Sequence, residues 1–388
     1  MSLWWARREQ LDDHQLKLIE DLPLRENCLV LGPPGSGKTN VLLRRAQFVR
    51  GQDMPNVMVL TFTRPLTEFV KTGCYDGRKE IFPRSSVNTI EGWIRNLYAA
   101  HGEELPDRTN DLPEWKRRLA TGALPFRTRN YIPAYDVLFV DEAQDLLTEE
   151  VDLIKQWGDV LFFVGDDRQK IFDYADGLRA IRQVVTPEQE FVLPFHYRVA
   201  PEICHMADRI LTPKSGVGLE ESSQYDGPRP PEIDIQKRLL TREKQLERAA
   251  AKLKDQARVY GDLIQQGDRL GVIVARTQDR DAVFEYFEND ADLAGKSKIM
   301  RSRGEDDDSY DPSFDVDSPI SILTVAGCKG LEFRAVHWLF CEQLSNYHTR
   351  EHYYTVVTRA KSSLNIYYTT ALPDILARAY AESGEELW

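Results

Sequence analysis

The stretch that decides the fold is GPPGSGKT at residues 32–39. Its glycines let the backbone close around phosphate oxygens, so that amide groups and the start of the following helix point at negative charge. Lys38 is placed to reach the β- and γ-phosphates, and Thr39 to offer its hydroxyl group to Mg²⁺. The candidate nucleotide-binding residues of this stretch are Gly32, Pro33, Gly35, Ser36, Gly37, Lys38, Thr39 and Asn40. The pattern predicts a P-loop that holds a nucleoside triphosphate.

The residues on either side fit a strand, a loop and a helix. Residues 28–31, CLVL, predict a short buried strand before the loop. Residues 40–50 predict a helix. Its expected inward side chains are Val41, Leu42, Ala46 and Phe48. This context favours a P-loop over a chance glycine-rich turn.

Composition sets the broad class of the protein. The 388 residues predict two or three domains. A net charge of −12 argues against non-specific coating of DNA by the whole surface, but it leaves a local basic groove open. We find neither an apolar run near the roughly 20 residues of a membrane helix nor a signal-peptide core, and we expect a cytoplasmic protein without membrane contact. Five scattered cysteines predict reduced thiols rather than disulfides or a zinc site.

Alternating strand and helix patterns predict an α/β fold with mostly parallel sheets. In the first half we expect strands near 28–31, 57–61, 136–140 and 160–164, each ending where polar motif residues begin. That is the edge where ligands gather in open α/β sheets. Residues 100–133, rich in proline and in cations, predict a small insertion.

The second half has the same alternation of strands and helices. The expected elements are a long polar helix at 241–266, a helix at 281–289, and strands near 270–275, 320–324, 335–340 and 364–369. The acidic stretch at residues 302–317 predicts a solvated loop.

Two carboxylates follow the predicted strand at 136–140. Asp141 is the natural partner of Mg²⁺, and Glu142 is placed to orient the attacking water. An Asp-Glu pair after an apolar strand is also a common helix N-cap. We expect a neighbouring strand to carry the P-loop, and this favours the catalytic interpretation.

The strand near 160–164 ends in GDDRQ at residues 165–169. Gln169 is placed to reach the γ-phosphate or the attacking water, a role that phosphoryl-transfer enzymes often give to glutamine. Asp166 and Asp167 are equally consistent with plain turn formation.

Seven segments in a fixed order resemble the motifs of superfamily 1 helicases of the UvrD/Rep/PcrA branch. They are GPPGSGKT, TFTR (61–64), DEAQD (141–145), GDDRQ, HYR (196–198), KGLEF (329–333) and VTRAK (357–361). The resemblance runs from Gln15 to about residue 368. It implies two RecA-like motor domains, at 1–190 and 191–388, with ATP in the cleft between them.

The resemblance also implies roles for residues around the nucleotide. Gln15 is similar to the glutamine that reads adenine, and Tyr197 to an aromatic residue that stacks near the base. Glu332 matches a ribose contact. Arg198 and Arg359 match two arginines that approach the γ-phosphate. The guanidinium group suits this role, because it is always charged and donates two parallel hydrogen bonds. An isolated arginine, however, is usually a surface residue.

A motor that binds nucleic acid of any base sequence is expected to contact the single strand by stacking on its bases and by hydrogen bonds to its phosphates. Phe62, Phe172 and Tyr174 match aromatic strand-contacting positions of the family. Phe62 and Phe172 also suit a plain core role. The candidate contacts to the strand backbone are Thr63, Arg64, Asn88, Thr89 and Lys329.

The sequence departs from the family pattern in places that concern strand coupling. Glu91 stands where a histidine is usual, Ala326 replaces the histidine of the fifth motif, and Ala175 replaces an arginine. The two large accessory insertions of relatives are reduced to residues 100–133 and to the stretch near 290–318. The cations between Lys116 and Arg129 suit either duplex contacts or a solvated face.

Three functions follow, in order of preference. The first is an ATP-dependent translocase or helicase on single-stranded DNA, with family-implied 3′-to-5′ polarity and with RNA left open as a substrate. The second is a nucleic-acid-sensing regulatory ATPase subunit that controls a partner such as a nuclease in DNA repair or phage defence. The third, a small-molecule phosphotransferase, explains neither the paired arginines nor the second α/β half.

Overall fold

The computed structural model describes the chain except residues 1–4, 77, 130–133, 171, 173, 214–216, 229–231, 237–240, 302–312, 316, 345–348 and 382–388. The chain divides into two compact units, Ala6–Pro194 and a second unit that spans Phe195–Trp388. Each unit contains one six-stranded sheet, and the strand pairs of both sheets are parallel. The predicted α/β class with two parallel sheets is confirmed.

The sheet of the first unit has the order β3-β2-β4-β5-β1-β6. Its strands are β1 (Cys28–Leu31), β2 (Val57–Thr61), β3 (Val87–Thr89), β4 (Tyr135–Val140), β5 (Gly158–Gly165) and β6 (Glu190–Val192). The P-loop strand β1 pairs with β5 and β6, whereas β4, which carries Asp141 at its end, pairs with β2 and β5. The expectation that these two motif strands are direct neighbours was therefore wrong, since β5 lies between them.

Helices connect the strands of this sheet. They are α1 (Lys38–Arg50), α2 (Arg64–Thr72), α3 (Ile90–His101), α4 (Leu112–Ala123), α5 (Thr148–Trp157) and α6 (Gly177–Ile181). The inward face of α1 differs slightly from its prediction, because Phe48 is only half-buried while Val49 is 1% exposed. The insertion expected at residues 100–133 contains α4 and a short helix at Phe126–Arg129.

The core of the first unit fixes the ends of its strands. Leu138 and Val140 of β4 and Leu161 and Phe163 of β5 are buried in one apolar cluster with residues of α3, α4 and α5. Burial of apolar surface is worth roughly 25 cal/mol per Å², so this cluster holds the two strands rigidly. The polar residues that follow β4 and β5 are thereby placed at one edge of the sheet.

The sheet of the second unit has the order β9-β10-β8-β11-β12-β7. Its strands are β7 (Glu232–Ile235), β8 (Leu270–Val274), β9 (Ser297–Ile299), β10 (Ile320–Thr324), β11 (Phe333–Trp338) and β12 (Ala360–Ile366). Its helices are α7 (Pro201–Ile210), α8 (Arg242–Val259), α9 (Gly261–Gln265), α10 (Thr277–Glu288), α11 (Arg350–Val357) and α12 (Asp374–Ala381).

Three predictions for this unit need correction. The helix expected at 241–266 is two helices, because Tyr260 leaves the helical conformation and Gly261 follows it. The helix expected at 281–289 begins already at Thr277, and the strand expected at 364–369 occupies Ala360–Ile366. Most of the acidic stretch at 302–317 lies outside the described residues.

Two further expectations concern cysteines and membranes. All five cysteines are buried and free, as predicted for reduced thiols. Among the described residues, none of the helices combines the length and the apolar character that crossing a membrane requires.

Candidate nucleotide and nucleic-acid sites

The P-loop follows directly from β1, all four residues of which are buried. Gly35 and Gly37 have φ angles of +76° and +83°, a left-handed conformation that glycine adopts without a steric penalty. The Lys38 ammonium donates to the carbonyl oxygens of Gly32 at 2.8 Å and Pro33 at 2.9 Å. The charge of Lys38 is therefore held inside the loop by acceptors of the loop itself.

The segment before β1 is tied to the P-loop through Gln15. This side chain is 4% exposed, and its Nε2 donates to the carbonyl oxygen of Ser36 at 2.9 Å. A Cβ atom at Gly37 would lie 2.6 Å from the same nitrogen, so the close approach of Gln15 requires a glycine there. Arg45 of α1 donates to three backbone carbonyl groups within residues 19–23, which fixes the segment against the helix.

Asn40 contacts the N-terminal segment of this unit. Its Oδ1 accepts a hydrogen bond from the backbone amide of Ala6 at 2.9 Å. Ser36 is 1% exposed, and its hydroxyl oxygen has no hydrogen-bond partner among the described residues. The side chains of Lys38 and Asn40 are thus engaged within this unit, and backbone amides are the groups that suit a phosphate.

Asp141 lies directly after β4 and is 1% exposed. Thr39 donates its hydroxyl hydrogen to Asp141 Oδ2 at 2.7 Å. Burial, together with the neighbouring Glu142 carboxylate, raises the pKa of Asp141 to about 7. A hydroxyl and a carboxylate are the hard oxygen donors that Mg²⁺ prefers, so the residues present fit that ion.

Glu142 has an unusual backbone. Its φ of 55° and ψ of 40° lie in the left-handed region, which costs a non-glycine residue of order 1 kcal/mol or more. Its carboxylate accepts a hydrogen bond from Gln144 Nε2 at 2.5 Å. The turn after β4 therefore holds the Glu142 side chain in one defined position.

A network of amide side chains joins the end of β4 to the end of β5. Gln144 Oε1 accepts from the backbone amide of Asp166 at 3.0 Å, and Gln169 Nε2 donates to Asp166 Oδ2 at 3.0 Å. Burial raises the pKa of Asp166, although the charge of Lys38 opposes the shift. Asp166 also accepts from the amide of Arg168, so it forms a turn as well as positioning Gln169.

Three aromatic rings form a cluster at the same edge of this sheet. The ring centroids of Phe62 and Phe172 are 5.5 Å apart, and those of Phe172 and Tyr174 are 5.2 Å apart. All three side chains are partly exposed. The ammonium of Lys116 lies 4.6 Å from the centroid of Phe62. We call Phe62, Phe172 and Tyr174 the aromatic cluster.

The polar strand-contact candidates are mainly helix caps. Thr63 accepts from the amide of Leu66 at the start of α2, and Thr89 accepts from the amide of Gly92 at the start of α3. Asn88 Oδ1 accepts from the Thr89 amide at 2.8 Å. Arg64, by contrast, is exposed.

Three cations of the insertion form ion pairs with nearby acids. Lys116 forms an ion pair with Glu150 at 3.3 Å, and both side chains are buried. Arg117 pairs with Glu149 at 3.0 Å, and Arg118 pairs with Glu114 at 2.8 Å. Lys116 thus belongs to neither a solvated face nor a duplex contact, which corrects the expectation for that residue. The side chain of Arg129 lies outside the described residues.

In the second unit, Arg198 and Glu332 form an ion pair. Lys361 lies 3.2 Å from Glu332 and 2.7 Å from Asp268, which also pairs with Arg334. Burial favours a raised pKa for both acids, but the nearby cations outweigh it, and the pKa values of Glu332 and Asp268 lie below their usual range. Arg198 therefore belongs to a buried ionic network of five charged side chains.

Other candidates of the second unit are buried or half-buried. Arg359 is 5% exposed and donates to the carbonyl oxygens of Thr355 at 3.0 Å and Leu331 at 2.9 Å. Lys329 is 1% exposed, so its ammonium does not reach the surface. Tyr197 is half-buried. The roles predicted for Arg359 and Lys329 require their side chains to leave these positions.

Sequence reasoning missed three residues that organise the sites. Gln144 lies within the DEAQD motif, and a polar amide between two motif acids is a signal for it. Lys361 ends the VTRAK motif, and the motif itself does not indicate the acidic partners of this lysine. Asp268 gives no local signal, because its partner Lys361 is 93 residues further along the chain.

Comparison with known proteins agrees with a P-loop protein. Residues 15–174 match the family described as AAA domain. This range contains the P-loop, the end of β4 and the aromatic cluster. No curated protein matches the chain. A solved structure entitled "The structure of PRRSV helicase" is similar over 90% of this chain, at 12% identity and a TM-score of 0.42. The matched region is 54% of that solved chain, so this chain spans about half of its length.

Proposed function

We propose that the protein is an ATP hydrolase that moves along single-stranded DNA, a translocase or helicase of the UvrD-like type. One observation carries this proposal. Residues 165–174 begin with the turn that positions Gln169 through Asp166, and they end in Phe172 and Tyr174 of the aromatic cluster. A short segment therefore joins a phosphate-sensing position to a surface suited to stacking bases.

Hydrolysis in this proposal uses the residues around the P-loop. Lys38 exchanges its two carbonyl acceptors for phosphate oxygens, and Thr39 with Asp141 holds Mg²⁺. When bound, Mg²⁺ neutralises charge on the phosphate oxygens. Glu142, which is fixed by Gln144, orients the attacking water.

The remaining nucleotide contacts follow the family resemblance. Gln15 is proposed to read the base at the rim of the P-loop. Tyr197 and Glu332 are proposed to contact the base and the ribose, and Arg198 and Arg359 the γ-phosphate. For Arg198, this requires exchange of Glu332 for phosphate as its anionic partner. Such an exchange makes ATP binding a switch for the second unit.

Strand binding is proposed to rest on the aromatic cluster. Stacking on a ring is worth about 1–3 kcal/mol per base and does not depend on base identity. Among the polar candidates, exposed Arg64 is best placed for a phosphate, whereas Thr63, Asn88 and Thr89 are already engaged at helix starts. We propose that the bound strand is DNA. Binding of RNA is to be measured for comparison.

A second function, a regulatory ATPase that senses nucleic acid and controls a nuclease partner, is favoured by one observation. Lys116, Arg117 and Arg118 of the insertion are paired with Glu150, Glu149 and Glu114, which lowers the positive charge that these three residues offer to a duplex. Unwinding requires contacts to the duplex in addition to binding of the single strand.

Two assays on the same protein separate these functions. ATP hydrolysis is measured with and without a single-stranded oligonucleotide, and displacement of a labelled strand is measured on a duplex with a 3′ overhang. Stimulation with displacement supports the motor, whereas stimulation without displacement supports the regulatory subunit. Hydrolysis that no DNA or RNA strand stimulates contradicts both.

A further inference from the structure

The second unit contains a cavity of about 330 Å³ between α7, α11 and α12. Three arginines line it, Arg209 of α7, Arg350 of α11 and Arg378 of α12. Its lining includes one acid, Asp374, and three apolar residues. The cavity is therefore strongly cationic, and none of the motifs of the proposed motor includes a residue of its lining.

The charge balance of this cavity differs from that of its surroundings. The chain has 62 acidic and 50 basic residues, and many surface cations of this unit are paired with acids. Examples are Arg242 with Asp279, Lys252 with Glu232, Lys254 with Asp290 and Arg258 with Asp255. Within the described part of the chain, Arg350 and Arg378 form no ion pair, and Asp374 does not pair with Arg378 one turn away on α12.

Helix geometry accounts for only part of this arrangement. Arg209 and Arg378 lie in the last turns of α7 and α12, where a cation is favourable. Arg350 is the first residue of α11, where a cation meets the positive end of the helix dipole. Glu351 in the same turn offsets part of this unfavourable position, and an anion bound at Arg350 would offset it further.

One wall of the cavity is held in place. Arg209 Nη1 donates to the carbonyl oxygen of Ala379 at 3.3 Å, which links α7 to α12. Arg350 and Arg378 are exposed, so their guanidinium groups are accessible to a ligand from solvent. The site therefore combines one anchored arginine with two that have no acidic partner among the described residues.

We propose that this cavity binds a phosphate group. Each guanidinium group donates in a planar fork that matches phosphate, and a phosphate has enough oxygens to accept from several forks, whereas a carboxylate has only two. A volume of about 330 Å³ is at the low end for ligand pockets, which suits a phosphate or diphosphate. The proposal is independent of ATP hydrolysis at the P-loop.

Calorimetric titration with inorganic pyrophosphate tests the site. The protein carries Lys38→Ala to weaken the P-loop as a competing site. Adding Arg350→Gln and Arg378→Gln is expected to weaken binding at least tenfold. A control with Arg50→Gln and Lys155→Gln removes two exposed cations of the first unit that form no ion pair among the described residues, and it is expected to change the affinity less than twofold. Thermal melting checks that each variant is folded.

Two outcomes overturn the proposal. One is the absence of pyrophosphate binding in the Lys38→Ala protein, and the other is equal affinity in the cavity variant and the control. Binding of a polyglutamate peptide, but not pyrophosphate, with dependence on Arg350 and Arg378 also overturns it in favour of an acidic protein partner.

A further comparison identifies the source of the phosphate. The cavity variant and the control are titrated with a twelve-nucleotide thymidine strand at several salt concentrations. The salt dependence is the slope of the logarithm of the binding constant against the logarithm of the salt concentration. If a nucleic-acid backbone binds in the cavity, this slope becomes less steep in the cavity variant alone, by about 0.7 per lost phosphate contact. Equal salt dependence, with pyrophosphate binding lost, assigns the site to a small phosphate compound.

Discussion

The hydroxyl group of Thr39 lies 2.7 Å from Oδ2 of Asp141, although 102 residues separate them in sequence. The contact joins the first turn of α1 to the end of β4, across the position of β5 in the sheet. A hydroxyl and a carboxylate that meet at the base of a P-loop are suited to hold a magnesium ion beside phosphate oxygens. We expect ATP hydrolysis to depend on this arrangement.

Replacement of Glu142 by glutamine is expected to abolish turnover while ATP still binds. General-base assistance contributes about 10²–10⁴-fold, so the hydrolysis rate should fall at least 100-fold. Steady-state phosphate release and binding of a fluorescent ATP analogue measure the two effects. Glu149→Gln removes the same charge from the ion pair with Arg117 and should leave the rate unchanged. Full turnover by Glu142→Gln would remove Glu142 from catalysis.

The stability of the ligand-free protein is expected to depend on the ionisation of Asp141. Its pKa rises from 3.8 to about 7 on folding, so the folded state binds more protons than the unfolded state between these values. The contribution of this group to stability therefore falls as the pH rises through that window. Asp141→Asn has no charge to bury, so its Tm should rise relative to that of the parent. This rise in Tm should be roughly 3–6 °C larger at pH 8 than at pH 5.

Differential scanning fluorimetry at the two pH values, without Mg²⁺ or nucleotide, measures this shift. Asp152→Asn is the control, since Asp152 is an exposed acid on α5. If Asp141→Asn and Asp152→Asn show the same pH dependence as the parent, Asp141 ionises normally in the folded protein.

Removal of two rings from the aromatic cluster is expected to weaken strand binding. Phe172→Ala with Tyr174→Ala should lower the affinity for single-stranded DNA by about 5- to 150-fold per ring, because each stacked base contributes about 1–3 kcal/mol. Basal ATP hydrolysis should remain. Fluorescence anisotropy with a labelled oligonucleotide measures the affinity, and Tyr75→Ala, at a ring that is 40% exposed outside the cluster, is the control. Unchanged affinity in the double variant refutes the assigned strand site.

The buried ionic network of the second unit is expected to control its stability. Asp268→Asn leaves the charges of Lys361 and Arg334 without their shared acid, and removal of one partner from a buried pair costs about 3–5 kcal/mol. Asp290→Asn removes the partner of Lys254 in a more exposed pair and should cost at most about 1 kcal/mol. Urea denaturation followed by circular dichroism compares them, and equal losses would contradict a structural role for Asp268.

Local signals in the sequence predicted the P-loop region well. A buried apolar strand, a glycine-rich loop and a helix follow one another within residues 28–50, and each is specified by its own residues. The order of the strands is not local. That β5 separates β1 from β4 depends on pairing between distant segments, for which neither motif carries a signal.

The short strands and the ionic network were harder to predict for related reasons. β3, β6 and β9 have three residues each, too few to show a period of two. Tyr260 and Gly261 interrupt a polar helical pattern that otherwise continues to Gln265. Asp268 and Lys361 acquire their roles only when β8 and β12 belong to one sheet, so sequence spacing gives no indication of their contact.

The most direct test of the motor is the rate of ATP hydrolysis by the purified chain with and without single-stranded DNA. We expect a thymidine oligonucleotide to raise the rate by about tenfold or more, and Lys38→Ala to abolish both the basal and the stimulated rate. A rate that is the same with DNA, with RNA and with neither would contradict a nucleic-acid-dependent ATPase.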